Sequence, residues 1–195
     1  MNASRAVFGD MDGAILVGGR SSRFGQDKVL LSIAGKPLIA NLYELIQPLV
    51  REVLVVGHHR PEFDDLGFRV VMDLVPDSGP MGGLYTALMS TDARYVFVAA
   101  ADMPYLSPSV IRKIAEYRGD ADAVIPRGPR GLEPLCAVYS RSCTGPLHTS
   151  LEQGNRRIVN ALEGLRILEP EIQAHRGERD YFFNINRPED LEEME

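Results

Sequence analysis

The residues best suited to chemistry lie between positions 14 and 28, where an apolar stretch runs into a glycine-rich loop. Gly18 and Gly19 lack a Cβ, so the backbone can turn tightly there and approach a ligand. Three cationic side chains follow the two glycines: Arg20, Arg23 and Lys28. Backbone N–H groups in such a loop bind anions, and Arg or Lys side chains neutralise phosphate charge through charge-assisted hydrogen bonds. The segment therefore predicts a polyphosphate site and, with it, a nucleotide ligand.

The spacing within this loop differs from two common phosphate-binding motifs. A P-loop ends in Gly-Lys-Ser or Gly-Lys-Thr, whereas Gln26 and Asp27 follow Gly25 here. The loop also lacks the G-x-G-x-x-G spacing of dinucleotide-binding folds. What remains is the pattern G-G-x-x-x-R-x-G-x-D-K, which is far more specific than a single Gly-Gly turn. Walker-type ATPase chemistry and dinucleotide binding are therefore disfavoured.

The composition is that of an ordinary globular protein with an acidic balance. Of the 195 residues, 45% are hydrophobic and 25% are charged, and the formal net charge is -6. This charge does not indicate a nucleic-acid partner, which would favour a broadly basic surface. The length suits one domain. We expect residues 14–195 to form this single domain and residues 1–13 to be a flexible leader.

The cysteines and the apolar runs bear on the location of the protein. Cys136 and Cys143 show neither a disulfide framework nor zinc-ligand spacing, so we expect reduced thiols in a cytoplasmic protein. A transmembrane helix needs about 20 consecutive, mainly apolar residues, and the sequence has no such run. We therefore expect no membrane partner.

Apolar strands alternate with helices along the chain. The predicted strands span residues 14–17, 53–56, 69–72, 95–101, 121–126, 135–139, 166–168 and 182–185, and the predicted helices span 38–49, 80–89, 107–117 and 144–162, with a last helix from Pro188. Several strands are apolar throughout, which is typical of a mainly parallel sheet covered on both faces. The expected fold class is α/β, in three layers α/β/α.

Acidic side chains come at the ends of two predicted strands. In open α/β sheets, ligands bind beyond the carboxyl ends of the strands. Asp102 directly follows the most apolar strand, and it is the best candidate for a metal ligand because Mg²⁺ takes one or two carboxylates with phosphate oxygens and water. Asp73 and Asp77 lead into a helix N-terminus that suits an anion or a base edge. For these two residues, capping of the loop is an equal alternative.

These motifs resemble the signature of nucleotidyltransferases with a Rossmann-like sheet of the nucleotide-diphospho-sugar transferase type, and most closely the molybdenum cofactor guanylyltransferase family. The loop motif extends from Leu16 to Lys28. Other matching segments follow in the family's order: Gly35-Lys-Pro-Leu38, Asp73, Asp77-Ser-Gly-Pro80, Gly82-Gly83, Ala101-Asp102-Met-Pro104, Glu133-Pro-Leu135, Ala137-Val-Tyr139, Asn184-Ile-Asn186 and Pro188-Glu-Asp-Leu191. Where the family has an Asn after the second strand, this chain has Gly57 and His58.

The resemblance implies a reaction and a nucleotide site. GMP would pass from Mg-GTP to the terminal phosphate of molybdopterin carrying molybdenum, with release of pyrophosphate. The resemblance implies that the guanine and the nucleotide backbone are held by four consecutive residues: Leu16, Val17, Gly18 and Gly19. It also implies that Asp73 binds the guanosine part.

The resemblance further assigns the catalytic charges and the acceptor side. Arg23 and Lys28 would contact the polyphosphate and the charge that develops on the leaving pyrophosphate, and Asp102 would hold Mg²⁺. The pterin side would include Asn184, Asn186 and Arg156. For Arg156, a second phosphate contact or a solvated helix start are the alternatives. Further partners would be a molybdoenzyme or other proteins of cofactor synthesis.

Two other functions stay open at this point. A related nucleotidyltransferase would use CTP on molybdopterin, or a nucleoside triphosphate on a sugar or alcohol phosphate. Gly18-Gly19 favours guanine, since cytidylyl-specific relatives tend to have Ala-Gly and the missing methyl gives a purine edge more room. A non-catalytic nucleotide-binding accessory protein is the second alternative. Asp102 argues against it, because a pure binder has little need of a metal-binding carboxylate beside a triphosphate.

Overall fold

The strands of the protein build one large sheet and two small ones. The computed structural model describes residues 7–18, 30–33, 35–174, 177, 179–187 and 189–192. In chain order the strands are β1 (Met11–Leu16), β2 (Ser32–Ile33), β3 (Lys36–Pro37), β4 (Val53–Val56), β5 (Arg69–Val71), β6 (Tyr95–Ala100), β7 (Ala123–Val124), β8 (Arg127–Gly128), β9 (Gly131–Leu132), β10 (Cys136–Ser140) and β11 (Ile167–Leu168). The central sheet has the order β11-β7-β10-β6-β1-β4-β5, and the pairs β2–β3 and β8–β9 form separate two-stranded sheets.

The central sheet is parallel except for one strand. β1 pairs in parallel with β4 and β6, β4 with β5, and β7 with β11. β10 runs antiparallel to its neighbours β6 and β7. The start of β10 therefore lies at the same edge of the sheet as the carboxyl end of β6. The predicted mainly parallel sheet is confirmed.

Helices cover both faces of this sheet. They are α1 (Leu38–Ile46), α2 (Pro61–Asp65), α3 (Gly79–Met89), α4 (Pro108–Glu116), α5 (Thr144–Glu152), α6 (Ile158–Ala161) and α7 (Glu189–Glu192), with 3₁₀ turns at Gln47–Leu49 and Arg141–Cys143. Ser107 caps α4 as predicted, because its hydroxyl oxygen accepts a hydrogen bond of 3.4 Å from the Val110 N–H. Among the described residues, none of the helices has the length and apolar character needed to cross a bilayer.

Alternate side chains of the central strands enter two separate cores. On β1, Met11 and Ile15 pack with residues of α1 and α4, whereas Ala14 and Leu16 pack with residues of α3 and α5. Successive side chains of a strand point to opposite faces of the sheet, so a strand buried on both faces must be apolar at consecutive positions. This explains the unbroken apolar runs and confirms the three-layer arrangement.

The order of the strands reverses beside β1. The chain moves from β1 through β4 to β5 at one side of the sheet, and then crosses back so that β6 lies on the other side of β1. Such a reversal leaves a crevice at the carboxyl ends of the two strands that flank it, where α/β proteins bind ligands. A ligand site is therefore expected at the residues that follow β1 and β6.

Two sequence-based expectations differ from the structure. The leader predicted over residues 1–13 is wrong from Phe8 onward, since Phe8 is buried and β1 already begins at Met11; residues 1–6 lie outside the described residues. The predicted strand over 182–185 is also wrong, because these residues form a turn and an extended segment without strand pairing. The Asn184 side chain instead donates a hydrogen bond of 3.0 Å to the Phe182 carbonyl oxygen.

Candidate active site

The end of β1 forms the centre of the candidate site. The Ala101 N–H donates a hydrogen bond of 3.1 Å to the Leu16 carbonyl oxygen, which ties β1 to the residue before Asp102. On the other side, the Val17 N–H donates a bond of 2.9 Å to the Val56 carbonyl oxygen. Leu16 and Val17 are buried and pack into the two cores. The chain is thus fixed on both sides immediately before the glycine-rich loop.

Gly18 begins that loop in open space. A Cβ placed on Gly18 would have no atom of the described residues within 4 Å, apart from its chain neighbours. The described residues therefore leave space beside the first glycine of the motif. Gly19, Arg23 and Lys28, which the sequence assigns to the nucleotide and its phosphates, lie outside the described residues.

Gly57 packs against Val17, which lies just before the glycine-rich loop. Its φ of +140° is unfavourable for other residues, and a Cβ there would lie 2.9 Å from Cγ2 and 3.3 Å from the carbonyl carbon of Val17. The Gly57 N–H also donates a hydrogen bond of 2.9 Å to the Val71 carbonyl oxygen. Only a glycine lets the ends of β1, β4 and β5 approach one another this closely.

Asp73 brings an unsatisfied carboxylate to the same edge. Its Oδ1 is buried and has no hydrogen-bond partner among the described residues. A Cβ on Gly83 of α3 would lie 3.8 Å from this oxygen and 3.3 Å from Leu16 Cδ2, so the carboxylate lies near both α3 and the end of β1. Burial raises the pKa of Asp73, and the nearby His58 partly offsets this rise. A ligand donor would satisfy a buried acceptor of this kind.

The loop between Asp73 and α3 is held by contacts with other elements. The Leu74 N–H donates a hydrogen bond of 3.0 Å to Thr86 Oγ1, so this N–H is bonded to Thr86 of α3. Arg156 donates a hydrogen bond from Nη1 to the carbonyl oxygen of Asp77, whose φ is +56°. The described contacts thus join Arg156 to the loop before α3, and none of them joins it to Asn184 or Asn186.

Asp102 follows β6 at the crevice and meets the C-terminal segment. Its carbonyl oxygen accepts a hydrogen bond of 3.0 Å from the Ile185 N–H. This bond brings the predicted acceptor residues, Asn184 and Asn186, to either side of the contact with Asp102. The Asn186 N–H is held in turn by Asp190, whose Oδ2 lies 2.5 Å away. The backbone of Asp102 therefore lies next to the segment that carries the two asparagines.

Asp102 is part-exposed, and a carboxylate of this kind would suit a magnesium ion that is held mainly by the phosphates of a nucleotide. It supplies a hard oxygen ligand at the tip of a strand whose backbone is fixed by Ile185. In the described part of the chain, no three or more His, Cys, Asp or Glu side chains are grouped to hold a metal ion. Any metal here would draw most of its ligands from substrate and water.

Two further groups at this edge were not identified as site residues from the sequence. His58 lies close enough to Asp73 to influence its ionisation. Glu133, just before β10, is half-buried, and burial raises its pKa from the ordinary 4.5 to about 7. The position of each group after or before a strand was visible in the sequence, but its burial and its neighbours were not.

A parallel sheet with a reversal beside β1, a glycine-rich sequence after that strand and a carboxylate after its neighbour form the arrangement expected of a nucleotidyltransferase. The MobA-like NTP transferase domain family matches residues 13–166. A probable molybdenum cofactor guanylyltransferase from Thermococcus gammatolerans is 39% identical over 189 residues, which cover 93% of this chain and 97% of that protein. Another, from Chloroflexus aggregans, is 37% identical over 190 residues, with 93% of this chain and 91% of that protein covered.

A solved structure agrees with these relatives. The crystal structure of molybdopterin-guanine dinucleotide biosynthesis protein A from Archaeoglobus fulgidus matches with a TM-score of 0.76 and 29% identity, covering 93% of this chain and 95% of that one. The chain belongs to the molybdenum cofactor guanylyltransferase family and is an enzyme of that class. The predicted family, fold class and guanylyltransferase function are confirmed.

Proposed function

We propose that the residues at the carboxyl edge of the sheet carry out this reaction, in which GMP passes from Mg-GTP to the terminal phosphate of molybdopterin. One observation carries the assignment. The end of β1, the unsatisfied Asp73 carboxylate and Asp102 lie at one edge of the sheet, beside the reversal of strand order. The donor nucleotide would extend from Asp73 across the glycine-rich loop toward Asp102.

The reaction needs little covalent chemistry from the protein. An oxygen of the acceptor phosphate attacks the α-phosphorus of GTP, the bond from that phosphorus to the oxygen bridging to the β-phosphate breaks, and pyrophosphate leaves. Catalysis of such a transfer is chiefly positioning and neutralisation of charge. In this chain, Arg23 and Lys28 would neutralise the triphosphate, and the Asp102 carboxylate would hold Mg²⁺. When bound, the metal ion supplies charge neutralisation at the phosphate oxygens.

The choice of base rests on the start of the loop and on Asp73. No other described residue approaches the Cβ position of Gly18, and the backbone before it is fixed on both sides, so a rigid edge would be available to a purine. Guanine presents adjacent N–H donors that suit a carboxylate such as that of Asp73, whereas cytosine lacks a ring N–H on its pairing edge. GTP is therefore favoured over CTP.

The acceptor would bind on the far side of Asp102 from the nucleotide. Asn184 and Asn186 lie on that side, next to the contact between Ile185 and Asp102. Arg156, which contacts the loop before α3, is better suited to the phosphates at the junction than to the pterin ring. A cytoplasmic location fits Cys136 and Cys143, which are both buried and free.

Release of pyrophosphate tests this proposal. The protein would be incubated with Mg²⁺, molybdopterin carrying molybdenum, and each nucleoside triphosphate in turn. We expect pyrophosphate with GTP, dependent on both the acceptor and the metal ion. Turnover with CTP but not with GTP would overturn the base assignment, and release without an acceptor would indicate hydrolysis instead of transfer.

A further inference from the structure

Glu133 is a half-buried carboxyl group whose side chain is not used to hold the fold. Its backbone makes the structural contacts: the N–H donates a hydrogen bond of 2.9 Å to the Pro126 carbonyl oxygen, and its own carbonyl oxygen accepts one of 3.0 Å from the Cys136 N–H. In the described part of the chain, no hydrogen bond reaches its carboxyl oxygens. The side chain is therefore available to a ligand.

Apolar groups surround one side of this carboxyl. A Cβ placed on Gly128 of β8 would lie 3.2 Å from Glu133 Oε1 and 2.6 Å from the Phe182 ring. The Glu133 carboxyl oxygen and the Phe182 ring thus both lie close to Gly128. The side chain is half-buried, and burial raises the pKa of Glu133 to about 7. A carboxyl group in such a place costs stability unless a partner compensates it.

The neighbouring cation is engaged elsewhere. The Arg130 guanidinium donates a hydrogen bond of 2.5 Å to the Phe182 carbonyl oxygen and lies 3.7 Å from the Asp180 carboxylate. Arg130 lowers the pKa of Glu133 and Asp180 raises it, but both effects are smaller than that of burial. Arg130 therefore fixes the segment that carries Phe182. Its positive charge does not cancel the effect of burial on the Glu133 carboxyl group.

Two independent connections bring Glu133 close to Asp102. Along β10, the Leu135 carbonyl oxygen accepts a hydrogen bond of 2.8 Å from the Ala100 N–H, two residues before Asp102. Along the C-terminal segment, Phe182 lies beside Glu133, and Ile185 three residues later bonds to Asp102. β10 lies on the opposite side of β6 from β1, β4 and β5. Glu133 is therefore on the acceptor side of Asp102, away from Asp73.

We propose that Glu133 binds the acceptor, with its carboxylate accepting hydrogen bonds from adjacent N–H donors on the flat heterocycle. The inference rests on the proposed function, which gives a pterin as the acceptor. The pyrimidine half of a pterin carries a ring N–H next to an amino group, and these two donors match the two oxygens of one carboxylate. The ring of Phe182 and its neighbours limit access of competing water.

The test compares Glu133→Gln with wild type in the full-length enzyme. Glutamine keeps the shape but replaces one acceptor oxygen with a donor, which would face the donors of the pterin. We expect the KM for the acceptor to rise by about 10- to 100-fold, as for loss of a charged hydrogen bond, with the KM for GTP unchanged. Glu116→Gln, at an exposed position on α4, is the matched control and leaves both values unchanged.

Binding of a soluble pterin without GTP gives a second readout. Wild type is expected to quench the fluorescence of 6-hydroxymethylpterin on binding, and both Glu133→Gln and Glu133→Ala are expected to lose this affinity while unfolding at temperatures no lower than wild type. An unchanged acceptor KM, an equal rise in both KM values, or unchanged pterin binding would overturn the inference. If wild type binds the pterin but transfers no GMP, the proposed function fails while the role of Glu133 stands.

Discussion

The N–H of Ile185 donates a hydrogen bond of 3.0 Å to the carbonyl oxygen of Asp102. This bond joins the end of the central strand β6 to a segment near the end of the chain. It fixes the backbone of the carboxylate proposed to hold Mg²⁺, and it brings Asn184 and Asn186 next to it. In the proposed site, the donor and acceptor halves would meet at this backbone contact.

Replacement of Asp102 tests this junction. Asp102→Asn removes the negative charge but leaves the backbone bond to Ile185 intact, so we expect a folded enzyme that loses activity on the order of 100-fold or more. The measurement is pyrophosphate release across a range of Mg²⁺ concentrations, with Asp65→Asn, an exposed position on α2, as the control. A wild-type rate in Asp102→Asn at low Mg²⁺ would remove Asp102 from the metal site.

The close approach of Gly57 to Val17 predicts a specific defect. Gly57→Ala forces a Cβ against Val17 at a φ of +140°, so we expect a loss of about 1–3 kcal/mol in stability and a KM for GTP raised by about 10-fold. Gly67→Ala is the matched control, since its φ is +67° but a Cβ there meets no atom within 4 Å. Both variants lose stability, and only Gly57→Ala changes the KM for GTP. Equal effects on that KM would mean that the clash is irrelevant to the loop.

The partly buried carboxylate of Asp73 predicts opposite effects on stability and binding. Asp73→Asn removes a charge that burial disfavours and that has no partner at Oδ1, so the melting temperature is expected to stay the same or to rise. The same change replaces an acceptor with a donor where guanosine donors are expected, which raises the KM for GTP by about 10-fold. Calorimetry and steady-state kinetics measure the two effects. A lower melting temperature with unchanged kinetics would give Asp73 a structural role.

The raised pKa of Glu133 predicts how its removal affects stability at different pH. The folded protein keeps this proton up to a pH of about 7, whereas an unfolded chain releases it near 4.5. Stability therefore falls as the pH rises through this interval, and the loss is complete above about 7. We expect Glu133→Gln to melt at a higher temperature than wild type at pH 8, with the difference vanishing toward pH 4. A difference that is constant or larger in acid would contradict this.

The fold was largely predictable because its strands are buried on both faces. The unbroken apolar run at Tyr95–Ala100 and the Ser107-Pro108 start of α4 carry their own local signals. β1 was predicted too short because Asp12 interrupts the apolar pattern. That carboxylate is buried, and it is compensated by Arg51 at 3.5 Å and by the Thr91 hydroxyl, contacts that only the tertiary structure creates.

The positions of Asp73 and Asp102 after strands were predictable, because each acidic residue follows an apolar run in the sequence. Glu133 was recognised only as part of a motif, because its burial depends on Phe182, which is far away in the sequence. Long-range packing also explains why the strand predicted over residues 182–185 was wrong. Phe182 and Ile185 are buried for tertiary reasons, and their apolar pattern imitates a strand.

The most direct test of the account follows the position of a radioactive label in the nucleotide. Wild-type enzyme would be incubated with Mg²⁺, molybdopterin carrying molybdenum, and GTP labelled with ³²P at either the α- or the γ-phosphate, and the pterin product would be separated from pyrophosphate. Transfer of GMP predicts that α-label appears in the pterin product and that γ-label appears only in pyrophosphate. Appearance of γ-label in the pterin product, or transfer of α-label from CTP in preference to GTP, would contradict it.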